Sequence, residues 1–304
     1  MDWTTQFDKQ TADYLPDVKI LREEPMSSHT SFRIGGAAKR MAFPQNGEQV
    51  VLLVGFAEGC GVEPLVIGNG TNLLISDAGL DRLVIETSAM NHMELGKDGR
   101  ITADAGVSLA RLADYACKQG LTGLEFAHGI PGTLGGAVCM NAGAYDGEMK
   151  QVIETVTVLF PQEGIRTLSC EEMDFAYRHS LLSDHPGAVV LHATIKLTAG
   201  DPVAIREKMQ FLMQRRKTSQ PLEWPSAGST FKRPVGYFAG TLIDQCGLKG
   251  FTVGGAQVSE KHAGFVINQG GATCADVEEL IRQVQARVLQ EKGVRLEPEV
   301  KIIR

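Results

Sequence analysis

Two clusters of small residues have the composition of a ligand cradle. The longer is Gly129-Ile130-Pro131-Gly132-Thr133-Leu134-Gly135-Gly136-Ala137-Val138-Cys139-Met140-Asn141-Ala142-Gly143-Ala144-Tyr145, with five glycines, three alanines and no charge. It lacks bulky apolar residues at helical or strand period, so no ordinary amphipathic element is expected there. A backbone without side chains can lie against a flat group and aim its N–H groups at anions. A large planar cofactor with a phosphate tail would suit it; so would a tight packing seam between two elements. The shorter cluster is Gly68-Asn69-Gly70-Thr71-Asn72-Leu73, after the apolar Val66-Ile67. A strand entering Gly-x-Gly is how a dinucleotide fingerprint begins, but Leu73 stands where a third glycine is needed and no helix pattern follows, which excludes a Rossmann crossover. No Gly-Lys-Ser/Thr occurs, which excludes a P-loop. What remains is a loop between two strands whose N–H groups could form an anion nest, or a plain hairpin turn.

The composition narrows the rest. The chain has 304 residues, 43% of them hydrophobic and 22% charged, as in a globular protein of two or three lobes. A net charge of −6 argues against a nucleic-acid surface. No apolar run approaches a membrane span, and the polar N-terminus has no secretory signal, so a cytoplasmic protein is expected. Cys60, Cys117, Cys139, Cys170, Cys246 and Cys274 lie far apart and read as reduced thiols. No histidine has metal-ligand spacing, and no metal is expected.

Several elements must position these loops. A short helical lead-in precedes a strand at Val18-Lys19-Ile20-Leu21, closed by Pro25. His29-Thr30-Ser31-Phe32-Arg33-Ile34-Gly35-Gly36 reads as a strand entering a glycine turn, and Ala38 to Phe43 as a strand stopped by Pro44. Val50, Leu53, Val54 and Ala57 have helical spacing between about Gly47 and Cys60. Short strands are expected at Pro64 to Gly68, Arg82 to Glu86 and Arg100 to Asp104; Ser108 caps a helix that runs to Lys118. Further strands fall at Val152 to Phe160 and Val189 to Leu197. A helix from Asp201 through Lys217 marks the best boundary, and three X-Pro pairs make the next segment extended and loop-rich. Tyr237 to Cys246 reads as a short helix, Thr252-Val253 and Gly264 to Ile267 as strands, and Asp276 opens a strong helix with Val277, Leu280, Ile281, Val284 and Val288 on one face. Val300 to Ile303 is a final strand.

Six motifs in this order carry a resemblance. They are His29 to Gly36, Gly68 to Leu74, the central stretch, Phe175-Ala176-Tyr177-Arg178-His179-Ser180, Ala227-Gly228-Ser229-Thr230-Phe231-Lys232, and Leu296-Glu297-Pro298-Glu299-Val300. From about His29 to the C-terminus the chain is similar to the UDP-N-acetylenolpyruvoylglucosamine reductase (MurB) family, in the shorter type without an inserted tyrosine loop. The resemblance implies an α+β fold: a two-lobed, non-Rossmann FAD-binding domain of the PCMH/VAO kind plus a smaller α+β substrate-binding domain. The expected division is 1–200 for FAD, in lobes of about 1–64 and 65–200, 201–298 for substrate, and 299–304 returning to the first lobe.

The resemblance also implies the chemistry. NADPH reduces non-covalent FAD, which passes hydride from N5 to the methylene carbon of the enolpyruvyl ether on UDP-N-acetylglucosamine, giving UDP-N-acetylmuramate for peptidoglycan. Arg178 would fork onto the substrate carboxylate, where negative charge builds. Ser229 would protonate the neighbouring carbon, and Glu299, rather than Glu297, would be the catalytic carboxyl, either protonated or orienting the arginine or a water. FAD contacts are expected from Arg33, Gly68, Asn69, Gly70, Thr71, Asn72, Leu73, Gly129, Ile130, Pro131, Gly132, Thr133, Gly135, Gly136, Asn141, Ala142 and Gly143. Substrate contacts are expected from Tyr177 and from a cationic rim of Lys217, Lys232 and Arg233; the family commonly has asparagine where this chain has Arg233. A monomer with small-molecule partners is expected, without nucleic acid or membrane. Two rival readings are an FAD oxidase of the same fold and a nucleotide-binding module without turnover.

Overall fold

A computed structural model describes residues 2–304. The chain forms two compact units, each discontinuous in sequence. Of the described residues, unit 1 comprises 2–22, 39–69 and 82–214; unit 2 comprises 23–38, 70–81 and 215–304.

In unit 1, helices α1 (Trp3–Tyr14) and α2 (Gly47–Gly59) bury Phe7, Val50, Leu53, Val54 and Ala57 with Leu83, Ile85 and Leu191. Asn46 caps α2, its side chain accepting from Gln49 N at 3.0 Å. A four-stranded sheet has the order Lys19–Pro25, Ala37–Phe43, Leu80–Glu86, Leu65–Ile67, its last two strands parallel. The larger antiparallel sheet has the order Gly164–Ser169, Ile153–Phe160, Val189–Lys196, Arg100–Asp104, Met93–Leu95. Helix α3 (Leu109–Lys118), capped by Ser108, buries Leu109, Leu112, Ala113 and Ala116 in the same core cluster as that sheet. The central stretch does contain a regular element: the short helix α4 (Leu134–Cys139), capped by Thr133. Its glycines and alanines make it thin rather than amphipathic.

Helix α5 (Pro202–Ser219) carries the chain from unit 1 into unit 2. Unit 2 holds α6 (Ala239–Gln245), α7 (Cys274–Lys292) and a four-stranded antiparallel sheet, ordered Ser226–Ser229, Phe265–Asn268, Ala256–Val258, Thr252–Val253. Helix α7 starts two residues before Asp276, because Thr273 and Asp276 cap it reciprocally; Val277, Leu280, Ile281, Val284 and Val288 form its buried face. The expected strand at His29 to Ile34 is a loop: Thr30 Oγ1 donates to Ile34 O, Arg33 has φ 54°, and Phe32 O accepts from Asn268 Nδ2. The change of unit falls at Gln214/Arg215 rather than near 200, and residues 23–38 and 70–81 belong with the C-terminal part. The final strand, Lys301–Ile303, pairs in parallel with Leu73–Ile75, not with a strand from residues 1–64. Apolar burial favours this pairing, since Leu74 is fully enclosed in the core of unit 2.

The turn that leads into the central stretch is set by a buried carboxylate. Glu125 is 3% exposed, and it accepts from Thr122 Oγ1 at 2.5 Å and from Gly123 N at 3.2 Å, with Lys208 Nζ at 3.5 Å. Burial raises the carboxyl's pKa, but the Thr122 and main-chain hydrogen bonds and the Lys208 charge outweigh it and leave it lowered. A lowered folded-state pKa stabilises above the unfolded value, and the contribution is lost as pH falls through the folded one. Glu125→Gln should cost about 1–3 kcal/mol at neutral pH and make the loss of stability on acidification shallower. Urea midpoints measured at neutral and acid pH check this; an unchanged acid limb would exclude Glu125 as its source.

Candidate active site

In unit 1 the two glycine clusters lock together. A Cβ on Gly68 would lie 2.1 Å from Thr133 Oγ1, and Asn69 Nδ2 donates to Pro131 O at 2.9 Å. Thr133 is 1% exposed, and its Oγ1 also faces Gly136 N at 3.5 Å. Leu134 N and Gly135 N donate to Val107 O and Ala105 O, and Leu109 N to Gly132 O, which sews the stretch to residues 105–109. A Cβ on Gly135 would stand 2.9 Å from Ala105 Cβ, and one on Gly143 2.7 Å from Gly147 O. The packing-seam reading therefore accounts for Gly68, Gly135 and Gly143.

Gly136 is different. It is exposed, and the nearest atom to an added Cβ is Thr133 Oγ1 at 3.6 Å. Glycine in a helix costs about 1 kcal/mol relative to alanine, and nothing in the protein requires it here. A ligand lying on the backbone would. Among the described residues, the N–H groups of Gly68, Asn69, Gly129, Gly132 and Thr133 donate to no protein atom, nor do those of Gly70, Thr71 and Asn72. Ile130 N is taken by Ala127 O and Ala142 N by Ala137 O; Pro131 has no N–H.

Arg178 sits in a two-residue turn in which Ala176 and His179 exchange hydrogen bonds of 3.2 Å. Its φ is 55°, and its guanidinium lies 5.0 Å from the exposed Tyr177 ring. Three side chains hold the turn: Asn141 Nδ2, from the central stretch, donates to Ala176 O, the buried Ser180 Oγ donates to Cys139 O of that stretch, and Lys150 Nζ, beyond the stretch, donates to Phe175 O. Sequence reasoning misses the roles of Lys150 and Ser180; the position of Ser180 within Tyr-Arg-x-Ser is the available signal. Asn141 was expected on the cofactor, but both its Nδ2 hydrogens are engaged within the protein, on Glu148 and Ala176.

Ser229 and Glu299 come together in unit 2. Ser226 pairs with Ile267 and Ser229 with Phe265, so an extra residue bulges at Gly228, whose φ is +74°. Glycine is needed there for conformation. Beyond Ser229, Thr230 O accepts from Glu299 N at 2.8 Å and Glu297 O from Lys232 N at 2.8 Å. Asn72 Nδ2 holds Glu299 O at 3.1 Å, and Lys301 N returns a bond to Asn72 O. Asn72, Thr71 and Leu73 thus lie in the segment beside Glu299. The two carboxylates of this segment are separated in kind: Glu297 is exposed and 3.6 Å from Lys232 Nζ, whereas Glu299 is half-buried.

The loop at His29 to Ile34 ties these parts of unit 2. A Cβ on Gly70 would meet His29 O at 2.1 Å, Ser31 N donates to Gly70 O, and Ser31 Oγ donates to Ser226 O at 2.6 Å. Arg33 is exposed and makes no ion pair or hydrogen bond through its side chain among the described residues. Of the expected cationic rim, Lys232 faces Glu297, Arg233 lies 3.9 Å from the Phe238 ring, and Lys217 is exposed at the end of α5. His262, left without a role by its sequence context, accepts from Gly264 N through Nδ1; burial pushes its pKa down.

Comparison with known proteins shows the family. Residues 38–169 match the model of an FAD binding domain, and residues 220–303 match that of the UDP-N-acetylenolpyruvoylglucosamine reductase C-terminal domain. A UDP-N-acetylenolpyruvoylglucosamine reductase of Caldanaerobacter subterraneus is 48% identical over 96% of this chain and 96% of its own length. That of Pediococcus pentosaceus is 47% identical over 97% and 98%. The crystal structure of the MurB enzyme of Thermus caldophilus, 35% identical, superposes with a TM-score of 0.79 over 94% of this chain and 99% of that one. With near-complete coverage in both directions and both domain models matched, the chain belongs to the UDP-N-acetylenolpyruvoylglucosamine reductase (MurB) family.

Proposed function

We propose that this protein reduces UDP-N-acetylglucosamine enolpyruvate to UDP-N-acetylmuramate with NADPH as donor, through non-covalent FAD, in the cytoplasm of a bacterium building peptidoglycan. The observation that carries the FAD reading is the open, exposed Gly136 beside N–H groups that donate to nothing in the protein. A flat group can lie where no side chain stands, and a diphosphate can accept those N–H groups. FAD, when bound, supplies the hydride for the enolpyruvyl methylene carbon and is recharged by NADPH.

The chain supplies the rest. Arg178 is assigned to the substrate carboxylate; its guanidinium stays charged and can fork onto two oxygens as negative charge builds. Ser229 is assigned as proton donor to the adjacent carbon. A hydroxyl is a weak acid in water, but opposite a forming carbanion the transfer is downhill. Glu299, whose N–H is held by the carbonyl of Thr230 next to Ser229, is assigned as the catalytic carboxyl, either protonated or orienting the arginine or a water. Tyr177, Lys217, Lys232 and Arg233 are assigned to substrate, the cations to its diphosphate. The N-terminal part of the chain is assigned to FAD and the C-terminal part to substrate, which the domain models matched over 38–169 and 220–303 support. The protein as purified should show flavin absorption, and its NADPH consumption should require the enolpyruvyl substrate. Fast reoxidation by air without that substrate would favour an oxidase, and nucleotide binding without turnover would favour a regulatory module.

Two variants test the assignments. Gly136→Val should fold with the melting temperature of the flavin-free parent yet lose FAD, whereas Gly135→Val should fail to fold because Ala105 occupies that space. A Gly136→Val protein with full FAD content would remove this face from the cofactor site. Ser229→Ala should leave flavin reduction by NADPH nearly intact and slow substrate reduction by roughly 10²-fold or more, with partial retention in Ser229→Cys. Rapid mixing resolves the two half-reactions; equal slowing of both would make Ser229 structural.

A further inference from the structure

Among the described residues, nine that are not glycine have positive φ, and five of them, Asn141, Tyr145, Asp146, Asp174 and Arg178, fall in two short segments of unit 1. Such conformations cost energy and persist only where the surroundings impose them. Tyr145 and Asp146 form the turn that pairs Gly143–Ala144 with Gly147–Glu148. Asn141, 1% exposed and with φ 42°, sits between α4 and that hairpin. Its side chain uses both donors, to Glu148 Oε2 at 3.0 Å and Ala176 O at 3.1 Å, and its Oδ1 accepts from Lys150 N at 2.9 Å. Ala176 is the first residue of the turn that bears Arg178, so Asn141 fixes that turn at its base.

We propose that Asn141 is a positioning residue for Arg178. It grips the Ala176 carbonyl and sets where the guanidinium stands when the substrate carboxylate becomes an enolate. The inference rests on the assignment of Arg178 given above. Asparagine suits the position for two reasons: it tolerates the left-handed region better than other side chains, and it carries two donors and an acceptor on one carbon. Aspartate would keep the acceptor but lose both donors, and would turn a carboxylate toward Glu148 and a carbonyl. Alanine would add backbone strain to the lost bonds. Glycine keeps the backbone relaxed and deletes only the tether.

The test uses Asn141→Gly, Arg178→Ala and the double variant, each as holoenzyme, with both half-reactions followed by rapid mixing. In Asn141→Gly, FAD content and flavin reduction by NADPH should stay within about twofold of the parent, while substrate reduction slows by about 10- to 100-fold, the scale of a small misplacement. Added to Arg178→Ala, Asn141→Gly should slow that step no further, because the two act as one unit. Additive slowing, or equal slowing of both steps with loss of FAD, would overturn the proposal and make Asn141 a general scaffold residue. If Arg178→Ala itself leaves substrate reduction unchanged, the assignment of Arg178 fails and this inference with it. Should Asn141→Gly not fold, Asn141→Asp carries the same comparison, with the same pattern expected; a parent-like rate in it would refute the role of the donors.

Discussion

The structure of unit 1 depends on an approach that only missing side chains permit. At Gly68 and Thr133 two chain segments come so close that a single Cβ would stand 2.1 Å from a hydroxyl oxygen. That hydroxyl is buried and faces Gly136 N, so the contact that holds the loops together also shapes the start of α4. Gly135, pressed on Ala105, prevents the stretch from retreating. The result is a platform whose outer surface is backbone, with Gly136 as its open tile. Protein interiors resist change of even one methyl group, so Gly68 and Gly135 admit no side chain.

Polar side chains in the glycine clusters serve mainly to fasten. Asn69 holds Pro131 O, Asn72 holds Glu299 O, and Asn141 holds Ala176 O. Each short amide closes a gap between segments far apart in sequence. Among the described residues, the backbone N–H groups of Gly68, Asn69, Gly132 and Thr133 have no protein acceptor. Rigid donors of this kind need no reorganisation when negative charge arrives.

In unit 2 the same economy recurs in a sheet. Gly228 bulges the strand before Ser229, and Thr230 O then receives Glu299 N. Main-chain bonds thus bring the backbones of Ser229 and Glu299, seventy residues apart in sequence, to adjacent positions. The neighbouring Glu297 is joined to Lys232 twice, its carbonyl accepting from Lys232 N and its exposed carboxylate lying 3.6 Å from Lys232 Nζ.

Much of this was legible in the amino-acid order. Ser108 capping α3, the apolar faces of α2 and α7, and the strands at 82–86 and 100–104 follow from period and capping chemistry, which are local. The exclusion of a Rossmann crossover and a P-loop needed only Leu73 and the absent Gly-Lys pair. The hairpin at Gly254-Gly255, which joins Val253 to Ala256, was also written in the sequence and went unread there; a Gly-Gly pair between short β-prone runs is its signal. Other features had no local signal. That residues 23–38 and 70–81 pack with the C-terminal part, that 301–303 pairs with 73–75, and that Gly68 answers to Thr133 while Gly136 answers to nothing are facts of contact between distant segments. A glycine looks the same in sequence whether a neighbour, a left-handed turn or a ligand demands it. Only the tertiary structure assigns the cause, because the cause is the atom that would occupy the space of the missing Cβ.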